Sequence, residues 1–238
     1  MKNWTGSEAG NLKMKSQITE PVIRKEMVTS LLDTKYIRVY DLEYAPGCHY
    51  YNASRRTAEQ LAAVQTEEAF HDMLPDGVGC CIILCVKGQE PKLLLTSEYR
   101  YPIGRFILGP VSGIIDEADR QQADPFVCAA IREIGEETGL VPEPDDRVFT
   151  VNPCLFVSPG FTDESCAVMC AVLHREIFPG LTSKGAEGTE LFEGFVLLTE
   201  EEVRCLLREG RDKKGRYYSA FAWVIMTYFA LGDWKSVI

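Results

Sequence analysis

The stretch from Asp124 to Gly139 constrains this chain more than any other. Asp124 is a residue type that caps helix amino ends, Pro125 suits a first turn whose amide lacks a helical partner, and Gly139 accepts the left-handed conformation that ends helices. These signals predict a helix over Pro125 to Thr138. Within it Glu133, Glu136 and Glu137 stand three and four residues apart, so their carboxylates share a face and repel one another. Taken alone, such a face is more often solvated than functional. Otherwise it needs a neutralising cation, and hard oxygen ligands of this type suit Mg²⁺ or Mn²⁺. Gly135, in the helix interior, costs roughly 0.5–1 kcal/mol relative to alanine; close approach of another backbone would account for it.

Ahead of this helix the chain divides. Met1 to about Thr19 has no hydrophobic periodicity and reads as a flexible arm. Tyr36 to Glu43 and Cys48 to Ser54 alternate as strands around the turn residues Ala45-Pro46-Gly47, which predicts a hairpin. Thr57 to Met73 carries apolar residues at helical spacing, and Leu74-Pro75-Asp76-Gly77 closes it. A boundary there separates a small β-rich unit (20–76) from a larger one (77–238). In the larger unit, Val78 to Val86 and Lys92 to Tyr99 predict a hairpin, and Arg105 to Leu108 a short strand. Further strands are expected over Arg147 to Phe156, Ser165 to Arg175 and Glu190 to Leu198, then helices over Glu200 to Arg208 and Ser219 to Leu231.

Charge limits the partners. With 25 Lys plus Arg against 35 Asp plus Glu the formal net is −10, which repels nucleic-acid backbones and anionic membrane surfaces. A small anionic ligand is still compatible if bound cations and local arginines reverse the sign in a pocket. The nine cysteines form no CxxC pair and no zinc spacing. They suit a reducing cytoplasm, and the apolar run Ala220 to Leu231 is too short to span a bilayer.

The nine residues Arg132-Glu133-Ile134-Gly135-Glu136-Glu137-Thr138-Gly139-Leu140 resemble the ending of the Nudix box, Arg-Glu-apolar-X-Glu-Glu-X-Gly-apolar, at every specified position. The front half departs from the pattern. The family glycine lies fourteen residues before the arginine, where this chain has Ala118; Gly113, five residues further back, is the equivalent if a loop is inserted. Counted the same way, the first family glutamate falls at Asp124, better explained as the helix cap. Tyr99-Arg100-Tyr101-Pro102-Ile103-Gly104, the loop Ser158-Pro159-Gly160-Phe161-Thr162-Asp163-Glu164 and the phrase Tyr50 to Arg56 are similar to the ADP-ribose pyrophosphatase branch.

That resemblance implies an α/β (α+β) fold, a Nudix α/β/α sandwich with a mixed sheet plus a small amino-terminal β-rich domain. It implies Mg²⁺-dependent hydrolysis (Mn²⁺ as alternative) of ADP-ribose to AMP and ribose 5-phosphate, or of a related nucleoside diphosphate sugar. The metal would be held by Glu133, Glu136, Glu137 and the backbone carbonyl of Ser112. Arg55 and Arg100 would bind the diphosphate, with Glu164 also at the substrate; Tyr50 and Tyr36 would stack on the base. The general base would be Glu190 or Glu187. A homodimer with exchanged amino-terminal domains is expected, in the cytoplasm, with no nucleic acid and no membrane partner. Relatives carry Glu-Phe-Pro-Ala-Gly where this chain has Gly109-Pro110-Val111-Ser112-Gly113, losing a glutamate. The alternative is therefore a nucleotide-sugar-binding regulatory module with weak or absent turnover.

Overall fold

The structure, a computed structural model, describes residues 21–185 and 190–237. The arm expected over 1–19 and the candidate base Glu187 lie outside the described residues. Three antiparallel strands, β1 (Val28–Asp33), β2 (Arg38–Ala45) and β3 (Cys48–Ser54), form a small sheet in that order. The β2–β3 hairpin turns at Pro46-Gly47, where Gly47 takes φ 70°, as the turn residues predict. β1 was not expected. All of it but Val28 is exposed, so it shows no alternation to read. Tyr36 precedes β2, in the turn, and is not a strand residue.

One expected element is absent. Thr57 to Met73 is not a single helix: two 3₁₀ turns, Ala58–Gln60 and Ala62–Val64, precede a short helix α1 (Glu67–His71). Leu61 takes extended ψ (137°) between the two turns, and Thr66 starts a fresh helix by accepting the Ala69 N–H. The apolar spacing is satisfied by burial instead. Leu61 is fully buried with Tyr40 and Leu42 beneath the small sheet, and tertiary burial overrides a local helical pattern readily.

The larger unit is built on a seven-stranded mixed sheet. Its path runs β10 (Phe192–Leu198), β5 (Lys92–Arg100), β4 (Gly77–Val86), β9 (Ser165–Arg175), β8 (Arg147–Phe156), with β6 (Arg105–Gly109) on β5 and β7 (Val111–Ile114) on β4. β4 and β9 are parallel and the other pairs antiparallel. Side chains of β4 alternate between two cores, as a strand buried on both faces must. Val78, Cys80 and Ile82 meet Ala129, Ala130 and Ile134 of α3 (Pro125–Thr138). Cys81 and Ile83 meet the helices on the other face, α4 (Glu200–Glu209) and α5 (Ala220–Leu231). Gly79 lets α5 approach, since a Cβ there would lie 2.0 Å from the Phe221 ring. This is the expected α/β/α sandwich. Among the described residues all nine cysteines are free, and no helix is long and apolar enough to cross a membrane.

The two units meet along a polar seam. The Ala53 N–H at the end of β3 donates to the Phe161 carbonyl at 2.9 Å. The buried Arg56 guanidinium donates to Ser165 Oγ and the Asp163 carbonyl, and its Nη2 stands 2.9 Å from Asp76 Oδ2. The Ser158 to Glu164 loop is thus tied to the small sheet of its own chain.

Candidate active site

The carboxylate helix is placed as its end signals predict. Asp124 caps α3 by accepting the Val127 N–H at 3.0 Å, and Gly139 ends it with φ 73°. Gly113, on β7, lies directly under the helix: a Cβ there would stand 1.8 Å from Glu133 Oε1. Only glycine lets that carboxylate lie against the strand. Gly135 has no comparable neighbour, the nearest atom to an added Cβ being the Leu140 carbonyl oxygen at 3.8 Å. The expected close approach is not there, and nothing in the structure explains this glycine.

Glu133 and Glu137 are buried, whereas Glu136 is half-exposed. Arg132 Nη1 binds Glu133 Oε1 at 2.8 Å and Glu136 Oε2 at 3.1 Å. Glu137 has a different partner, the Ser112 N–H, at 3.2 Å. A strand residue sends its N–H and C=O to the same side, so the Ser112 carbonyl also faces away from β4. Burial pushes Glu133 up to about 7, against the charge and hydrogen bond of Arg132. Burial pushes Glu137 further, to about 9, and the charges of Glu133, Glu190 and Glu98 add to it. Burial works against the Arg132 charge as well, yet its hydrogen bond to Asp119 and the carboxylates around it hold it above its ordinary value.

Two acidic residues that sequence reasoning missed complete this region. Asp119 is buried and receives Arg132 Nη2 at 2.9 Å and Nε at 3.3 Å. It belongs to α2 (Glu117–Arg120), a short helix inside the expected inserted loop. The signal was present: the family glutamate position lies six residues after the family glycine, and six residues after Gly113 is Asp119. Counting back from Arg132 across the insertion led to Asp124 instead. The other is Glu98 on β5, raised by burial, which pairs with Arg100 Nη2 at 2.7 Å. No motif marked Glu98; its position follows from β5 lying beside β4, the strand that α3 covers.

Arg100 therefore stands at the carboxylates through Glu98. Glu190 stands there as well, just ahead of β10, where its charge raises Glu98, Glu133 and Glu137. Residues 182–185 run along the end of α3: Thr182 N–H donates to the Thr138 carbonyl, and a Cβ on Gly185 would meet the Glu136 carbonyl oxygen at 2.7 Å. The remaining candidates gather at the seam. Tyr50 donates its hydroxyl to the Gly160 carbonyl at 2.6 Å, and Arg55 Nε binds Glu164 Oε1 at 2.9 Å. Tyr36 is largely exposed and has Lys35 Nζ 5.2 Å from its ring centroid. Tyr36 and Arg55 line one cavity of about 600 Å³; Tyr50 and the α3 glutamates do not line it.

The donor set suits a hard divalent cation: carboxylate oxygens and a strand carbonyl, with the buried Glu137 in no ion pair among the described residues. As placed, no three acidic, histidine or cysteine side chains among the described residues converge as a metal cluster. Arg132 draws Glu133 and Glu136 to itself, while Glu137 turns to Ser112.

No family model matches the chain. One curated relative, "Putative nudix hydrolase 2" of Caenorhabditis elegans, is 36% identical over 96 residues, 40% of this chain and 40% of that protein. The chain thus matches about two fifths of the relative's length. Among solved structures, one described as "Crystal structure of ADP compounds hydrolase" aligns over 92% of this chain and 96% of its own, with TM-score 0.54 and 16% identity. Over part of its length the chain is thus similar to a Nudix hydrolase, and in fold to an ADP compounds hydrolase. Its architecture matches a Nudix-like hydrolase fold, and the residues that resemble the box ending lie at the carboxyl end of α3 and just beyond it.

Proposed function

We propose that this chain hydrolyses the diphosphate of ADP-ribose, giving AMP and ribose 5-phosphate, or that of a closely related nucleoside diphosphate sugar. The observation that carries the reading is the pair of buried glutamates, Glu133 and Glu137, on the box helix with more negative charge than the described residues offset. Protein interiors rarely retain such groups without a task.

Glu133, Glu136, Glu137 and the Ser112 carbonyl would hold Mg²⁺ or Mn²⁺. When bound, the cation supplies Lewis-acid polarisation of the diphosphate and lowers the pKa of an attacking water. The chain's own residues then divide the work. Arg100 and Arg55 present guanidinium forks to diphosphate oxygens, exchanging their present carboxylate partners, Glu98 and Glu164, for substrate. Tyr50 and Tyr36 offer aromatic faces to the base. Glu190, already beside the box carboxylates, accepts the proton of the attacking water; Glu187 is the second candidate for that role. The homodimer with exchanged amino-terminal domains belongs to the same proposal, and would bring a second small sheet to each site.

A panel of nucleoside diphosphate sugars with and without Mg²⁺ or Mn²⁺ tests this, with nucleotide release as the readout. ADP-ribose should give AMP in the presence of metal, and Glu136→Gln should abolish that release without unfolding the protein. Binding of the panel without product under any divalent metal would instead support the regulatory-module alternative, which the missing upstream glutamate favours.

A further inference from the structure

The cavity of about 600 Å³ lies between the small sheet and the inserted helix, and its volume suits a nucleotide-sized ligand. Lys35, Arg55, Arg56 and Arg120 line it, against the carboxylates of Asp76 and Glu117, on a protein whose formal net is −10. Two of those cations are already engaged, Arg56 by Asp76 and Arg55 by Glu164. The other two are not: among the described residues no carboxylate lies within 4.0 Å of the Lys35 ammonium or the Arg120 guanidinium. Lys35 contacts only the Tyr36 ring face by charge, at 5.2 Å.

Arg120 is held in place by its neighbour. Asp119 accepts Arg132 from the box helix and also caps α2 through the Asp116 N–H at 3.0 Å. The insertion is thereby docked on the box, with the next residue, Arg120, at the cavity wall. We propose that Lys35 and Arg120, facing the same cavity as Tyr36 and Arg55, form a subsite for a second anionic group of the phosphate-monoester class on a nucleotide ligand. The inference rests on the nucleotide reading above and deepens it. Lys35 and Arg120 are the two cations of the lining with no carboxylate within 4.0 Å among the described residues, and together they match a group carrying nearly two negative charges at pH 7. A guanidinium and an ammonium supply a fork and a point charge, both of which bind phosphate oxygens.

Calorimetric titration of the full chain, without divalent metal, tests the subsite with AMP, adenosine 2′,5′-bisphosphate and adenosine 3′,5′-bisphosphate. At least one bisphosphate should bind about tenfold tighter than AMP. Arg120→Ala and Lys35→Ala should each remove most of that margin while moving AMP affinity less than about twofold, and Arg120→Lys should keep part of it. Both side chains are exposed, so circular dichroism should show folded variants. The subsite is overturned if neither bisphosphate gains over AMP, or if the variants weaken all three nucleotides alike. Hydrolysis of unphosphorylated diphosphate sugars with no bisphosphate margin sinks the subsite and leaves the proposed activity standing. A bisphosphate margin that depends on Arg120, in a protein that hydrolyses nothing in the panel, does the reverse.

Discussion

Glu137 and Asp146 are both carboxylates under a tenth exposed, one near the end of the box helix and the other just ahead of β8. Burial acts on both in the same direction. Around Asp146 the fold answers it: the Glu143 and His174 N–H groups donate at 2.7 Å each, and Arg175 Nη1 stands 2.8 Å away, so this acid ends below its ordinary value. Around Glu137 the fold supplies one N–H, from Ser112, and sets other carboxylates nearby, so this acid ends at about 9. Both carboxylates have little exposed surface, yet one is neutralised by the chain and the other, more deeply enclosed, is left short of positive charge. Structural acids are satisfied by the chain; an unsatisfied one points to a ligand the chain does not itself provide.

Replacing Glu137 is the severest way to break this contrast. Glu137→Gln should lower turnover of a diphosphate sugar by about 10³-fold or more, roughly 4 kcal/mol of transition-state stabilisation. Folding stability of the metal-free protein should not fall, because Glu137, held at about 9, is already uncharged at pH 7 and the amide still accepts the Ser112 N–H. Urea unfolding beside a nucleotide-release assay checks both. A variant that loses stability but keeps turnover would make Glu137 a structural acid after all.

The elements around these two acids were both legible in the sequence. α3 could be read residue by residue because its end signals are local: a cap, a first-turn proline and a terminal glycine. β9 was equally plain, as a long apolar run, and β8 spans the residues expected of it. Leu61 misled because helical spacing and burial under a three-stranded sheet use the same apolar residues. In the site, the acids on motifs were found, whereas Asp119 and Glu98 were not. Asp119 meets Arg132 across thirteen residues of chain, and the charge of Glu98 reaches Glu137 because β5 lies beside β4, the strand that α3 covers. Such encounters are made by topology, and no local pattern records them.

The satisfied member of the pair should respond in the opposite sense. Asp146→Asn removes the charge that Arg175 and two amides hold, and should destabilise the protein by about 2 kcal/mol at pH 7 with turnover little changed. The pH dependence follows from the direction of the shift. A carboxylate held below its ordinary value of 3.8 adds stability above that value and loses it as pH falls through the folded one. The gap in unfolding free energy between wild type and variant should therefore be full at pH 7 and close in more acidic solution. A gap that widened on acidification would contradict the hydrogen-bonded, ionised Asp146 of the structure.

The smallest effect comes from the third kind of carboxylate, exposed and at the opposite end of the same helix. Asp124 does one job, accepting the Val127 N–H, so Asp124→Ala should cost about 1 kcal/mol in urea unfolding. Nothing connects it to the diphosphate chemistry, and turnover at a temperature where the variant stays folded should match wild type. This sharpens the comparison because it holds the helix constant: Glu137→Gln should spend its effect on chemistry and Asp124→Ala on stability. Turnover falling with Asp124→Ala as steeply as with Glu137→Gln would put Asp124 in the reaction and return the box front to its uninserted register.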